Sequence, residues 1–329
     1  MSDKHEPKNG DEIDFISSPT LQKAITKSKR KQTIQYVIIA VLTTSILLTA
    51  LFMSSKYILT KRIDNQDSFY NAVHGANISG GGTTYNYNLF SIVAETTYRK
   101  TIGDRSILWD RKTEKIPLFG RIETIGTSSG MMEINSLNKE AKRVVRYNNF
   151  NNERKIDFYY PGLSYDYLPH ELDIAVGLDK NTLIEVALSF KEPMTLAEVA
   201  DQLGKENVNW LWVDTTTAAQ MDRMETELEN DSLKTKGGGG AFGFEVRPEA
   251  PFSEENGQVF IKMLEQLNKH SHKSSIKEAL KGIKENTQGT KGKIRLNGAV
   301  VTGTAAELKR FQNLDFIRSS VLGATIDKY

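Results

Sequence analysis

The feature that most constrains this chain is one uncharged stretch near its N-terminus. Residues 33–55 read TIQYVIIAVLTTSILLTALFMSS, with no Asp, Glu, Lys, Arg or His among them. As an α-helix this stretch rises about 34 Å, enough to cross a hydrocarbon core of about 30 Å with some tilt. We therefore predict a transmembrane helix over residues 33–55, with residues 1–32 on one side and 56–329 on the other.

The basic residues on the two flanks indicate the orientation of this helix. Before the span lie five of them: Lys23, Lys27, Lys29, Arg30 and Lys31. After the span lie three: Lys56, Lys61 and Arg62. Because cytoplasmic flanks carry the excess of Lys and Arg, we predict a cytoplasmic N-terminus and an extracellular C-terminal part, with Lys27, Lys29, Arg30 and Lys31 as the topology-determining residues.

A cleaved signal peptide is the main alternative for the same segment. Its apolar core is usually about 7–15 residues long and ends before an A-x-A-like site. Here the apolar run is longer, a leader of 32 residues precedes it, and no A-x-A occurs before Lys56. We therefore favour a retained signal anchor and a single-pass protein of the cell membrane.

Composition narrows the classes of chemistry that the chain can perform. It contains no cysteine, which excludes disulfides, thiolate metal sites and cysteine nucleophiles. The net charge of +2 lies wholly in the first 32 residues, where residues 1–14 carry −3 and residues 15–32 carry +5. A basic cluster this close to a membrane fits lipid headgroups, so we expect the bilayer as a partner and no direct nucleic-acid partner.

The N-terminal arm, residues 1–32, combines a polar start with a short amphipathic pattern. Phe15 and Ile16 precede it, and Leu21, Ala24 and Ile25 fall on one face of a helix that would run into the membrane span. Such a helix either lies on lipid headgroups or docks into a groove of a cytoplasmic protein. This segment alone does not decide between the two.

Beyond the membrane span, the sequence predicts three regions. Residues 56–82 form a polar stalk that Gly80-Gly81-Gly82 interrupts, residues 83–165 are rich in short β-strands, and residues 166–329 form an α+β domain. We therefore predict an α+β class: one N-terminal transmembrane helix and an extracellular domain of antiparallel sheet with helices packed on it.

The C-terminal region repeats one local order twice. A strand at 183–190 runs into the capping box Thr195–Glu198, and a strand at 293–301 runs into the capping box Thr304–Glu307. Each box opens a short helix that is followed by another extended segment. Two strand–helix–strand units in one domain are compatible with a split βαβ arrangement.

Few residues outside these elements suggest chemistry. The chain has five histidines, of which only His270 and His272 are close in sequence, and it lacks the common hydrolase and metalloprotease motifs. KGGGG at 236–240 is interpreted as a flexible surface loop and not as a phosphate loop. Trp210 and Trp212 share one face of a strand, where burial is favoured over sugar stacking. We expect no enzyme activity, catalytic residue, metal or cofactor.

Several strings of the C-terminal region resemble a known family. They are LIEVALSFKEPMTLAEVADQL, NVNWLWVDT, FGFEVRP and NGAVVTGTAAELKRFQNLDFIRSSVLGATID, and they follow an N-terminal layout of basic lead, apolar span and stalk. Together they resemble the membrane-bound sigma-factor regulators of Gram-positive bacteria, which pair an N-terminal with a C-terminal regulator domain. The resemblance covers roughly residues 20–329.

This resemblance implies a single-pass anti-sigma factor. The cytoplasmic arm would hold an extracytoplasmic-function sigma factor at the membrane, and the outer domain would respond to envelope stress or to a second membrane co-regulator. We expect Phe15, Ile16, Leu21, Ala24 and Ile25 to contact the sigma factor. Two alternatives stay open: a single-pass cell-surface binding or structural module without a sigma partner, and an enzyme of the cell envelope.

Overall fold

The computed structural model describes residues 19–64, 70, 72–128, 130–135, 144–246, 249, 252–270, 274–289 and 292–329. The chain divides into two compact units at the bond between Tyr57 and Ile58. The first unit consists, in its described part, of a single helix, and the second contains every described strand.

Helix α1, Pro19–Asp64, runs without a break over 46 residues. It contains the whole predicted span, and its length and apolar composition suffice to cross a membrane. The hydroxyls of Thr43 and Thr49 donate to the carbonyls of Ile39 and Ser45, at 2.6 and 2.8 Å, one turn earlier. These bonds explain how the two threonines fit in an apolar helix, because their hydroxyl protons are satisfied within the helix.

Residues 79–127 form a four-stranded antiparallel sheet, called here the proximal sheet. Its strands follow one another in chain order and are β1 (Ser79–Tyr87), β2 (Ser91–Ile102), β3 (Arg105–Pro117) and β4 (Glu123–Thr127). The aromatic and threonine-rich pattern of residues 85–100 predicts a single strand, but the structure places the β1–β2 turn within this range. No strand is predicted over β3, which is rich in charged residues, RSILWDRKTEKIP, and has four of its thirteen side chains exposed.

Two smaller pairings lead to the C-terminal domain. Strands β5 (Met131–Asn135) and β6 (Val144–Asn148) form an antiparallel pair, and β7 (Asp157–Phe158) pairs with β10 (Lys236–Gly237). The one-turn helix α2 (Leu172–Ala175) follows and ends just before the main sheet begins.

The C-terminal domain is built on a five-stranded antiparallel sheet, called here the main sheet. Its order is β11–β9–β12–β8–β13. The strands are β8 (Thr182–Met194), β9 (Val208–Val213), β11 (Gly243–Glu245), β12 (Leu296–Thr304) and β13 (Ile317–Asp327).

This strand order contains two interlocked split βαβ units. Strands β8 and β9 flank β12, and strands β12 and β13 flank β8. Because each flanked strand is antiparallel to both of its neighbours, the two flanking strands are parallel to each other. The arrangement of helix connections is that of a ferredoxin-like fold with one added edge strand, which confirms the α+β prediction and the suggested split βαβ order.

Six further helices complete the domain. They are α3 (Leu196–Leu203), α4 (Ala218–Glu227), α5 (Asp231–Lys234), α6 (Glu254–His270), α7 (Ser274–Asn286) and α8 (Ala305–Leu308). Both predicted capping boxes are present, because Thr195 and Thr304 each exchange bonds with a glutamate three residues later. These caps fix where α3 and α8 begin.

The main sheet is buried on both faces. Along β8, Ile184, Val186 and Leu188 face a core formed with α3, α6, α7 and α8, while Ala187 faces the opposite side. This double burial explains why β8 is apolar almost throughout instead of alternating.

The predicted burial of Trp210 and Trp212 is confirmed, at 3% and 1% exposure. The sequence predicts that the preceding helix covers them, but this is wrong, because α3 lies on the other face of the sheet. Phe158 of β7 covers the tryptophans instead, with its ring 4.8 Å from that of Trp212. Buried on this face, the two indoles are not available to stack on a sugar.

The interpretation of KGGGG as a flexible surface loop is also wrong. Lys236 and Gly237 pair with β7, and Gly238 is buried. The Gly238 N–H donates to Ile156 O and its carbonyl accepts from Ala76 N–H, both at 2.8 Å. The glycine is needed because a Cβ at 238 would lie 2.6 Å from Cγ1 of Ile156.

We predict that Gly238→Ala lowers the free energy of unfolding by about 1–3 kcal/mol, because the new methyl group overpacks a buried site. Gly239→Ala is the matched control, since a Cβ there meets nothing within 4 Å. Denaturant titration of the full chain in detergent micelles measures both. Equal effects of the two substitutions would contradict the packed structure of this segment.

Candidate functional site

The predicted partner-binding residues lie at the start of α1 or before it. Leu21 and Ile25 are 41% and 46% exposed, and Ala24 between them is also exposed. Phe15 and Ile16 fall outside the described residues. The structure therefore brings together three of the five predicted contacts, on one exposed helical face.

The predicted topology-determining residues follow immediately on the same helix. Lys27, Lys29, Arg30 and Lys31 are all exposed. In an α-helix they lie within two turns of the uncharged run, a rise of at most about 9 Å.

The other end of α1 is buried in the second unit. Leu59 and Ile63 are 0% and 7% exposed and share a core with Ile92, Ala94 and Ile116 of the proximal sheet. We call this contact the helix–sheet junction. The region interpreted from sequence as the start of a polar stalk therefore holds two core residues, four positions apart and on one face of the helix.

A guanidinium group completes the helix–sheet junction. The Arg62 side chain donates to the carbonyls of Pro117 and Leu118, at 2.6 and 3.4 Å, and to the carbonyl of Gly120. Three carbonyls of one loop therefore accept from one planar group, which suits the fixed fork of arginine donors. The end of α1 is held to the β3–β4 loop by packing and by hydrogen bonds.

The far end of β2 contacts the main sheet through a buried ion pair. Nζ of Lys100 lies 2.7 Å from both carboxylate oxygens of Glu185 on β8. The two side chains are 2% and 0% exposed. Lys100 Nζ also lies 4.2 Å from the ring centroid of Trp109. We call this contact the β2–β8 ion pair.

Neighbouring groups complete the coordination of Glu185. Asn77 Nδ2 donates to Oε1 at 3.0 Å, and the Ala324 N–H of β13 donates to Oε2 at 3.4 Å. Burial lowers the pKa of Lys100, while the charge of Glu185 acts in the opposite direction. Gly323 makes room for the carboxylate, since a Cβ there would lie 2.5 Å from Oε2.

One strand thus carries both contacts. Ile92 near the start of β2 packs on α1, and Lys100 near its end pairs with the main sheet. At about 3.3 Å per residue these positions are about 26 Å apart. Since β2 is hydrogen-bonded to β1 and β3 along this length, the proximal sheet is a stiff connection between α1 and the C-terminal domain.

A large groove lies at the edge of the main sheet. Its volume is about 1240 Å³, and its walls include Phe244 of β11, Val259 and Met263 of α6, and Asp104 in the β2–β3 turn. Apolar and polar side chains contribute to the walls together. The groove is thus a candidate binding surface of the second unit.

Two of the carboxylates that line the groove cap a helix or form an ion pair. Glu307 caps α8 through the Thr304 N–H at 2.7 Å, and Glu206 pairs with Arg310 at 3.1 Å. Burial raises the pKa of Glu153 and of Asp214, but neither carboxyl lines the groove. Two carboxylates of the described lining, those of Glu206 and Glu307, therefore make structural contacts.

The described histidines His74 and His170 contact neighbouring elements of the fold. His74 stacks on Tyr70 with ring centroids 4.5 Å apart, and His170 forms a bridge to Ser320. His272 and the side chain of His270 are outside the described part. Among the described residues no cluster of three or more His, Asp or Glu side chains suited to a metal ion occurs.

Comparison with protein families identifies the C-terminal domain. Residues 176–324, a little under half of the chain, match the model of the family described as sigma factor regulator, C-terminal. The match contains the main sheet from β8 into β13 together with its helices. Over this domain the chain is similar to the family of sigma-factor regulators.

The predicted resemblance is thereby confirmed for the C-terminal region, and for the N-terminal part it stays a prediction. This similarity supports a role in sigma-factor regulation. No curated protein matches the chain. No solved structure matches it either.

We predict that Leu59→Ala lowers the free energy of unfolding of the second unit by about 2–5 kcal/mol, because it leaves a cavity in the helix–sheet junction. Ile58→Ala is the matched control, since Ile58 is 50% exposed. Hydrogen exchange of the β2 and β3 amides in the micelle-bound full chain gives the readout. Unchanged protection in Leu59→Ala would contradict a packed junction.

For the β2–β8 ion pair we predict a loss of about 3–5 kcal/mol in Lys100→Met, because a buried carboxylate is left without its counter-ion. The double variant Lys100→Met/Glu185→Leu regains part of this loss. Arg111→Met breaks an ion pair with Glu95 whose side chains are 50% and 42% exposed, and costs at most about 1 kcal/mol. The stability of the three variants is compared by their denaturant midpoints. A Lys100→Met midpoint equal to that of Arg111→Met would refute the structural importance of the β2–β8 ion pair.

Proposed function

We propose that this chain is a single-pass membrane-anchored anti-sigma factor with its N-terminus in the cytoplasm. The exposed start of α1 holds an extracytoplasmic-function sigma factor at the membrane, and the second unit responds outside the cell to signals from the envelope. The observation that carries the proposal is α1 itself. This one helix has an exposed apolar face at Leu21 and Ile25 and ends with Leu59 and Ile63 in a folded core.

The apolar face is suited to a helix-in-groove interaction. Leu21 and Ile25 are spaced by one helical turn, and Ala24 leaves room for close approach of a partner helix. Each large side chain contributes roughly 1.5–3 kcal/mol on burial, before the cost of ordering. Phe15 and Ile16 would extend this contact. Two residues alone give weak binding, so a second membrane co-regulator that adds to the contact is part of the proposal.

The stiffness of the proximal sheet supports a signalling role for the second unit. A rearrangement of the main sheet reaches β2 through the β2–β8 ion pair, and β2 contacts α1 at the helix–sheet junction. A flexible stalk would absorb such a displacement, whereas a packed helix end transmits it. We propose that the chain works through this coupling, by binding and without catalysis.

The main alternative is a cell-surface module whose arm only sets the topology. The two proposals differ in what the face of Leu21 and Ile25 does. As an anti-sigma factor, the chain loses its hold on the sigma factor when that face is made polar. If the chain is a surface module, the same change leaves sigma-dependent transcription unaltered.

We therefore predict that Leu21→Glu/Ile25→Glu raises sigma-dependent transcription to the level of a deletion of residues 1–30, because two charges disrupt the apolar contact. Gln22→Glu/Thr26→Glu is the matched control, with the same charge and spacing on another face of α1. Transcript profiling of cells that produce each full-length variant measures the effect.

Two results would refute the proposed function. One is an unchanged transcript profile in Leu21→Glu/Ile25→Glu cells in which the protein is present at its normal level. The other is a pull-down with residues 1–32 as bait that recovers no sigma factor, with or without a co-expressed membrane partner.

A further inference from the structure

Two loops at one end of the proximal sheet expose large apolar side chains. Leu89 and Phe90 in the β1–β2 turn are 39% and 54% exposed, and Phe119 in the β3–β4 loop is 83% exposed. The loops are neighbours, because the Leu118 N–H donates to the Phe90 carbonyl at 2.8 Å. We call Leu89, Phe90 and Phe119 the apolar tip. Three such side chains side by side form a patch, unlike the scattered apolar residues of an ordinary surface.

The apolar tip is fixed to the end of the membrane helix. The carbonyls that accept from Arg62 are those of Pro117, Leu118 and Gly120, which surround Phe119 in sequence. Burial of Ile116 against Leu59 and Ile63 holds the same end of β3. The tip is therefore presented by two rigidly held loops.

The chain length between the tip and the uncharged run is short. Arg62 follows Ser55, the last residue of that run, by seven positions. In helix α1 this is a rise of about 10 Å, and even a fully extended chain would span at most about 25 Å. The headgroup layer on each side of a bilayer is roughly 5–8 Å thick. The chain therefore tethers the Arg62 contact, and with it the tip, within at most about 25 Å of the end of the uncharged run.

The residues around the tip have the chemistry of a membrane interface. Aromatic side chains are enriched at the level of the headgroups, and cationic side chains there meet lipid phosphates. Phe90 and Phe119 supply the aromatic groups, while the exposed Lys61 and Arg121 supply positive charge close to them. A protein partner is not needed to account for this combination.

We propose that the apolar tip inserts into the interfacial layer of the bilayer that holds α1. The proposal rests on the membrane anchoring of α1 and is independent of any sigma partner. It gives the second unit a direct lipid contact, beside the helix–sheet junction. A change in the packing of this leaflet would then act on the loops that hold Arg62.

The test is depth-dependent fluorescence quenching of the full chain in phosphatidylcholine–phosphatidylglycerol vesicles that contain acyl-chain-brominated lipid. The three native tryptophans are suited to a constant background, because Trp109, Trp210 and Trp212 are at most 4% exposed. Phe119→Trp places a reporter in the tip. Leu233→Trp is the control, since Leu233 is 63% exposed on the C-terminal domain and lies far from α1 in sequence. Phe90→Trp is a second reporter.

We expect brominated lipid to quench the added fluorescence of Phe119→Trp and Phe90→Trp at least about twofold, with a blue-shifted emission, and to leave Leu233→Trp unquenched. Equal quenching of tip and control would overturn the proposal. So would a blue-shifted but unquenched tip, which would mean that protein and not lipid covers it. The sigma-dependent transcripts of the preceding section are a separate readout, so failure of one proposal does not mimic failure of the other.

Discussion

The β2–β8 ion pair is the interaction on which the architecture of the second unit depends. Removing a lysine and a glutamate from water costs several kcal/mol per charge, and the pair is tolerated because the two groups pair with each other and neighbouring donors complete the coordination of the carboxylate. A shift of β2 by one residue would turn Lys100 away from Glu185 and leave both charges buried without a partner. The pair therefore fixes the register between the proximal sheet and the main sheet. The position of the helix–sheet junction follows from it, because Ile92 and Lys100 belong to one strand.

The same arrangement connects the C-terminal domain to the end of α1. In the described part of the chain, the path from the main sheet to α1 consists of hydrogen-bonded strands and packed side chains. Under the proposed function, a change in the C-terminal domain would reach the helix end along this path instead of being lost in a loose linker.

The predictions from sequence succeeded where the determining signal is local. The membrane span follows from composition over 23 residues, and the capping boxes follow from residues three positions apart. Strand β3 was missed because its charged side chains, exposed on one face, conceal the alternation. Leu59 and Ile63 were missed because they stand among charged residues that suggest a stalk. The β2–β8 ion pair joins residues 85 positions apart, and no local sequence pattern predicts such a contact. Gly238 was misjudged because the need for a glycine arises from Ile156, a residue distant in sequence.

The central claim is that the folded outer unit and the cytoplasmic arm communicate through an unbroken α1. It is tested most directly by inserting a flexible Gly-Ser linker of roughly eight residues after Ser55 and measuring sigma-dependent transcription with and without envelope stress. A helix-forming insertion of equal length is the control for added length. The account predicts that the Gly-Ser variant keeps the sigma factor silent in both conditions, because the arm still binds but the signal no longer reaches it. A full stress response in the Gly-Ser variant would contradict the account.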